Sequence, residues 1–99
     1  MRFELKTPIE ASLDLGRKTK DLRLGKKWTR ETLSKRSGVP APTLRRFENT
    51  GKIALESFLK IMNALGRLDE IESLLNPSSI RSFEELEQRT KPIPKRGTI

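Results

Sequence analysis

Signals that start or stop a helix recur at short intervals along this chain, and they leave room for little but a bundle of short helices. Thr7-Pro8-Ile9-Glu10 opens the first. Thr7 caps, Pro8 takes the first helical position, where its missing N–H is no loss, and Glu10 completes a capping box. This helix is expected to end near Gly25 to Lys27 and to carry Ile9, Leu13, Gly16, Leu22 and the stem of Arg23 on one broad face. Thr29 caps the second helix, with Glu31 in its first turn and Trp28 and Leu33 at the two positions of a hydrophobic staple. Gly38 supplies the left-handed residue that ends it after Ser37. Val39-Pro40-Ala41-Pro42 then turns into a third helix reaching about Asn49, with Leu44 and Phe47 on its buried side. A fourth, from Leu55 to Leu65, places Leu55, Phe58, Leu59, Met62 and Leu65 at spacings of three and four, the most regular apolar stripe in the chain. Gly66 stops it. Leu68, Ile71, Leu74 and Leu75 predict a fifth, closed by Asn76-Pro77, and Ser82-Phe83-Glu84-Glu85 is a further capping box opening one or two turns.

The expected fold is therefore all-α, a compact five-helix domain. Composition agrees: 33% hydrophobic against 34% charged residues allows only a small core, and five aromatic side chains suit a helical bundle better than a sandwich. With 99 residues there is one domain, read as spanning 7–76. Residues 1–6 form an N-terminal arm; Arg2 to Lys6 alternate like a short strand that pairs with a second subunit, or remain a disordered arm. Residues 77–99 are read as a linker, a short helix and a mobile basic tail.

No cysteine is present, which removes disulfides, thiolate chemistry and cysteine metal sites, and no histidine, the commonest general base and metal ligand. The chain also has no glycine-rich phosphate loop and no carboxylates at metal-ligand spacing. An enzyme is set aside on these grounds, and neither cofactor nor metal is expected. No apolar run approaches the ~20 residues that span a bilayer, and the N-terminus lacks the apolar region of a signal peptide. The expected location is cytoplasmic, with no membrane partner.

The formal charge of +8 is unevenly spread. From Arg17 to Lys52 twelve Lys and Arg stand against three acids, whereas from Ile53 to Thr90 four stand against seven. The first block is a candidate polyanion face. It coincides with the second and third helices, whose spacing across Gly38 is that of a helix-turn-helix. Leu33, Val39, Leu44 and Phe47 would lock that pair together and leave Arg30, Ala41, Pro42, Thr43, Arg45 and Arg46 facing outward. Arg46 is the candidate base reader, because a guanidinium matches guanine O6 and N7 with two parallel hydrogen bonds. Lys27, Arg30, Thr43, Arg45 and Lys52 are candidate phosphate contacts, with Thr29 at the helix start beside them. The bland alternative is a solvated basic surface on an ordinary bundle.

Arg23, then Trp28-Thr29-Arg30-Glu31-Thr32-Leu33-Ser34, then Gly38-Val39-Pro40, then Thr43-Leu44-Arg45-Arg46-Phe47-Glu48 resembles the Cro/C1-type (XRE) helix-turn-helix family without a gap. The similarity continues to about Leu65. It implies a lambda-repressor-like DNA-binding domain, with Arg23 and Glu48 as a structural ion pair tying the first helix to the third. It also marks departures. Pro40 stands where the family has a capping hydroxyl, Ala41 and Pro42 stand where long polar side chains often read bases, and Ser34 replaces an alanine.

Leu59, then Leu65-Gly66-Arg67-Leu68-Asp69-Glu70-Ile71-Glu72-Ser73-Leu74-Leu75, resembles HipB-like antitoxins more weakly. That likeness implies an autoregulating repressor that binds double-stranded operator DNA as a homodimer and holds a HipA-type kinase toxin. Leu68, Ile71, Leu74 and Leu75 are either plain core or a dimer interface. Two rivals stand beside this reading: a toxin-binding protein with secondary DNA binding, and a nonspecific nucleic-acid binder.

Overall fold

The computed structural model describes residues 6–77. Within them the order is α1 (Pro8–Gly25), α2 (Arg30–Ser37), α3 (Ala41–Thr50), α4 (Leu55–Ala64) and α5 (Leu68–Glu72), with no strand among the described residues. The N-terminal arm up to Leu5 and the capping box at Ser82 lie outside them.

Local chemistry explains most of the boundaries. The Thr7 hydroxyl accepts from the Glu10 N–H at 3.1 Å while the Glu10 carboxylate accepts from the Thr7 N–H at 3.0 Å. The Thr29 hydroxyl accepts from the Thr32 N–H at 3.1 Å, which caps α2. Gly38 ends α2 at φ 81°, its N–H donating to the Ser34 carbonyl at 2.8 Å. Beyond α1, Lys27 adopts φ 61° without being glycine, a left-handed residue that costs roughly 1–2 kcal/mol and reverses the chain into α2.

The core is built from α2, α3 and α4. Leu33, Val39, Leu44, Phe47, Ile61, Met62 and Leu65 are buried, with Leu22, Trp28, Phe58, Leu68 and Ile71 among the residues packed on its edge. The Phe47 and Phe58 rings meet edge to face, 5.7 Å between centroids, a geometry worth about 0.5–1.5 kcal/mol beyond the area buried.

Three expectations hold only in part. Along the stripe of α4, Met62 and Leu65 are buried, but Leu55 is 71% exposed and Ile61, outside the expected stripe, is fully buried. The expected face of α1 is buried at Gly16 and Arg23 and half-buried at Leu22, with Thr19 joining it, but Ile9 is 73% exposed and Leu13 is exposed too. The reason is a close crossing. A Cβ at Gly16 would lie inside the van der Waals boundary of the Phe47 carbonyl oxygen and 3.2 Å from its carbon, so α1 meets α3 along its small and polar side. The fifth helix also stops at Glu72, three residues short of the expected end. The residue before Pro77 is disfavoured in helical geometry, and the chain closes instead in turns, with the Leu74 N–H donating to the Ile71 carbonyl at 3.1 Å and the Asn76 N–H to that of Ser73 at 3.2 Å. Leu68 and Ile71 pack on the core, whereas Leu74 and Leu75 are 69% and 91% exposed. Plain core therefore does not describe the last two.

Candidate nucleic-acid interface

On α3 the buried positions are Leu44, Phe47 and Glu48, spaced so that one side of the helix faces the core. Pro42, Arg45, Arg46 and Asn49 are exposed on the other side, and Ala41 and Thr43 are partly covered. Arg45, Arg46, Lys27 and Lys52 are all exposed, and among the described residues none has a carboxylate within 4.0 Å. Their charges face solvent. Lys52 is fixed through its backbone: its N–H donates to the Thr50 hydroxyl at 3.1 Å, and that hydroxyl donates to the Arg46 carbonyl at 2.7 Å. The loop carrying Lys52 is in this way tied to the turn carrying Arg46.

Asn49, where the third helix is expected to end, is helical. It belongs to the last turn of α3, three residues after Arg46 and four after Arg45, and joins them as a candidate contact. Its spacing from Pro42 and Arg46 was the available signal.

The α3 N-terminus is poor in donors. Pro40 makes no side-chain cap, Pro42 has no N–H, and the Thr43 N–H is spent on the Pro40 carbonyl at 3.0 Å. Backbone capture of a phosphate there is correspondingly weak. Thr29 has its hydroxyl engaged with the Thr32 N–H and hydroxyl, so its part in any contact falls to the backbone at the start of α2.

The expected Arg23–Glu48 pair is a three-membered cluster. Arg23 donates Nε to Glu48 Oε2 at 2.8 Å and Nη2 to Oε1 at 3.1 Å, while its Nη1 donates to the Trp28 carbonyl at 2.8 Å. Arg30 donates Nε to the same Oε1 at 2.9 Å. The Glu48 side chain is fully buried, and that of Arg30 remains 32% exposed. Arg30 is therefore both a structural partner and a half-open cation at the start of α2. Its spacing to Glu48 carried no sign of this.

Two further cations gather on one indole. The Arg36 guanidinium lies 4.5 Å and the Lys26 ammonium 5.3 Å from the Trp28 ring centroid. By contrast, Asp14 on α1 meets Lys6, Arg17 and Lys18 at 3.3, 3.4 and 3.3 Å, and Lys6 and Lys18 hold its carboxyl below the usual carboxylate range.

No helix among the described residues is long and apolar enough to cross a membrane. The family model described as "Helix-turn-helix" matches residues 20–72, just over half of the chain. No curated protein matches it.

Proposed function

The chain belongs to the Cro/C1-type helix-turn-helix family, a DNA-binding family of transcription regulators, and on that footing we propose that it is a sequence-specific repressor acting on double-stranded operator DNA. The observation that carries this reading is α3 itself. One side is locked into the core, and Arg45, Arg46 and Asn49 stand on the other, with no carboxylate partner for either arginine among the described residues. Arg46 reads a base, while Arg45, Lys27, Lys52 and the free edge of Arg30 hold phosphates. Ala41 and Pro42 offer only apolar contact, such as to a thymine methyl.

Arg46→Ala is expected to weaken operator binding by ~1–3 kcal/mol and to relax preference at one base pair. Lys52→Ala should weaken all duplexes alike and flatten the salt slope by about one unit. Selection from a randomised site with both variants is the test. An unchanged base preference for Arg46→Ala would remove it from the reading role, and equal affinity of the unaltered protein for every duplex would leave a nonspecific binder.

Two copies are proposed to bind a palindrome with half-sites about 34 Å apart, since one recognition helix covers only a few base pairs. The contact is assigned to Leu74 and Leu75, with the exposed edges of Leu68 and Ile71, which pack on the core, beside them. The exposure of Leu74 supports it and sharpens the test. Leu74→Glu should give a folded monomer that binds one half-site weakly, read by sedimentation beside circular dichroism. A folded dimer would show that the subunits join elsewhere.

The finer reading is an autoregulating antitoxin with a HipA-type kinase as partner. It rests on the resemblance of Leu59–Leu75 and on the apolar side chains left open at its end. Co-purification with the product of an adjacent kinase gene tests it, and failure to associate with that product refutes it.

A further inference from the structure

Away from α3, a cleft of about 270 Å³ lies between α1 and the α4–α5 end of the bundle. That is close to the lower end of the volumes in which small molecules are held, roughly 300–1,000 Å³. Its walls are Leu15, Leu22, Phe58, Met62 and Ile71. Thr19 also lines it, at 2% exposure, and its hydroxyl has no hydrogen-bond partner among the described residues. The hydroxyls of Thr50 and Ser73 do bond back to carbonyls of their own segments. A buried hydroxyl left unpaired in an apolar wall is unfavourable unless something else completes it.

The rim carries two cations, Lys18 and Arg67, and one carboxylate, Glu70. Arg67 is already paired with Glu70, two residues that both line the cleft. Lys18 is different: its partner is Asp14, at 3.3 Å, the Lys18 side chain is largely exposed, and Asp14 keeps Lys6 and Arg17 if Lys18 turns away. Lys18 can therefore swing to an anion over the cleft without stranding a carboxylate.

We propose that this cleft is an effector site for a small apolar carboxylate, its chain against Leu15, Leu22, Phe58 and Met62, its carboxylate on Lys18, and one oxygen within reach of the Thr19 hydroxyl. None of the residues assigned to DNA lines it, although Ile71 borders the proposed subunit contact, and its binding is read without DNA, so its failure and that of the operator reading are told apart.

The test is calorimetric titration of the full chain with decanoate below its micelle concentration, and with decanol as the uncharged control. Saturable binding at one site is expected for decanoate, with decanol weaker by about tenfold. Lys18→Met should bring decanoate down to the level of decanol. Thr19→Val, which keeps the shape and removes the hydroxyl, should raise the melting temperature of the free protein and weaken decanoate by about threefold to fivefold. Leu15→Trp should close the mouth and abolish binding while leaving the helical content unchanged. No saturable binding to the full chain overturns the proposal, and this is the outcome if a second copy or a segment of this chain covers the cleft. Equal affinity for decanol, or wild-type affinity in both Lys18→Met and Thr19→Val, overturns it as well.

Discussion

Glu48→Ala is expected to lower the melting temperature by roughly 15–30 °C, because it leaves two guanidinium groups without their shared carboxylate. The Glu48 side chain is fully buried and accepts three charged hydrogen bonds, two from Arg23 and one from Arg30. Removing one member of a buried ion cluster costs about 3–5 kcal/mol, much of it from the charge left behind. Arg23 suffers most, since its side chain is only 6% exposed and would keep a single carbonyl partner, that of Trp28. Arg30 has an outlet to solvent. If stranded charge is the cause, Arg23→Met combined with Glu48→Met should recover most of the loss, because apolar side chains of similar length fill the site without desolvating a charge. Thermal melts by circular dichroism decide this. A Glu48→Ala protein with wild-type stability and lost DNA binding would instead make Glu48 part of the contact surface.

Gly16→Ala is the second substitution with a large expected effect, a loss of about 2–3 kcal/mol or roughly 10–20 °C in melting temperature. Two effects oppose each other here. Alanine favours the helix over glycine by about 1 kcal/mol, but the new methyl would overlap the Phe47 carbonyl oxygen, a backbone atom that no rotamer change can move. The clash wins, since α1 must back away from α3, and this in turn disturbs the crossing that carries Arg23 to Glu48. Gly25→Ala is the matched control: a Cβ there meets nothing within 4 Å, so that change should be neutral or slightly stabilising. If Gly16→Ala raised the melting temperature as Gly25→Ala does, α1 would be free to slide and the crossing would not be tight. DNA affinity should fall with the Gly16 variant even at temperatures where it is folded, because α3 is displaced against its support.

Features legible in the chain were those whose causes lie within a few residues of each other. Thr7 and Glu10, Thr29 and Thr32, and Gly38 behind Ser34 satisfy or end a helix through atoms that are neighbours in sequence, so the caps and stops were readable there. The basic block on α2 and α3 belongs to the same class, as do Met62 and Leu65 of the α4 stripe, though not its Leu55, which is 71% exposed. Glu48 as a partner of Arg23, 25 positions away, came from family likeness and not from local chemistry. What lay beyond reach depends on where one helix finds another. Apolar residues at helical spacing mark a side that can be buried; they do not say that a neighbour will lie there. Ile9 and Leu13 fit such a pattern but face outward, because α1 crosses α3 at Gly16 and turns its small, polar line inward. Leu74 and Leu75 continue the pattern of α5 but lie past its last turn, in a segment that Asn76-Pro77 prevents from staying helical. Arg30 reaches Glu48 only because α2 and α3 are folded across the Gly38 turn with that carboxylate between them and α1. Local bonding is decided by sequence neighbours; burial and shared ion partners are decided by the crossing of helices, which one clash at one glycine can set.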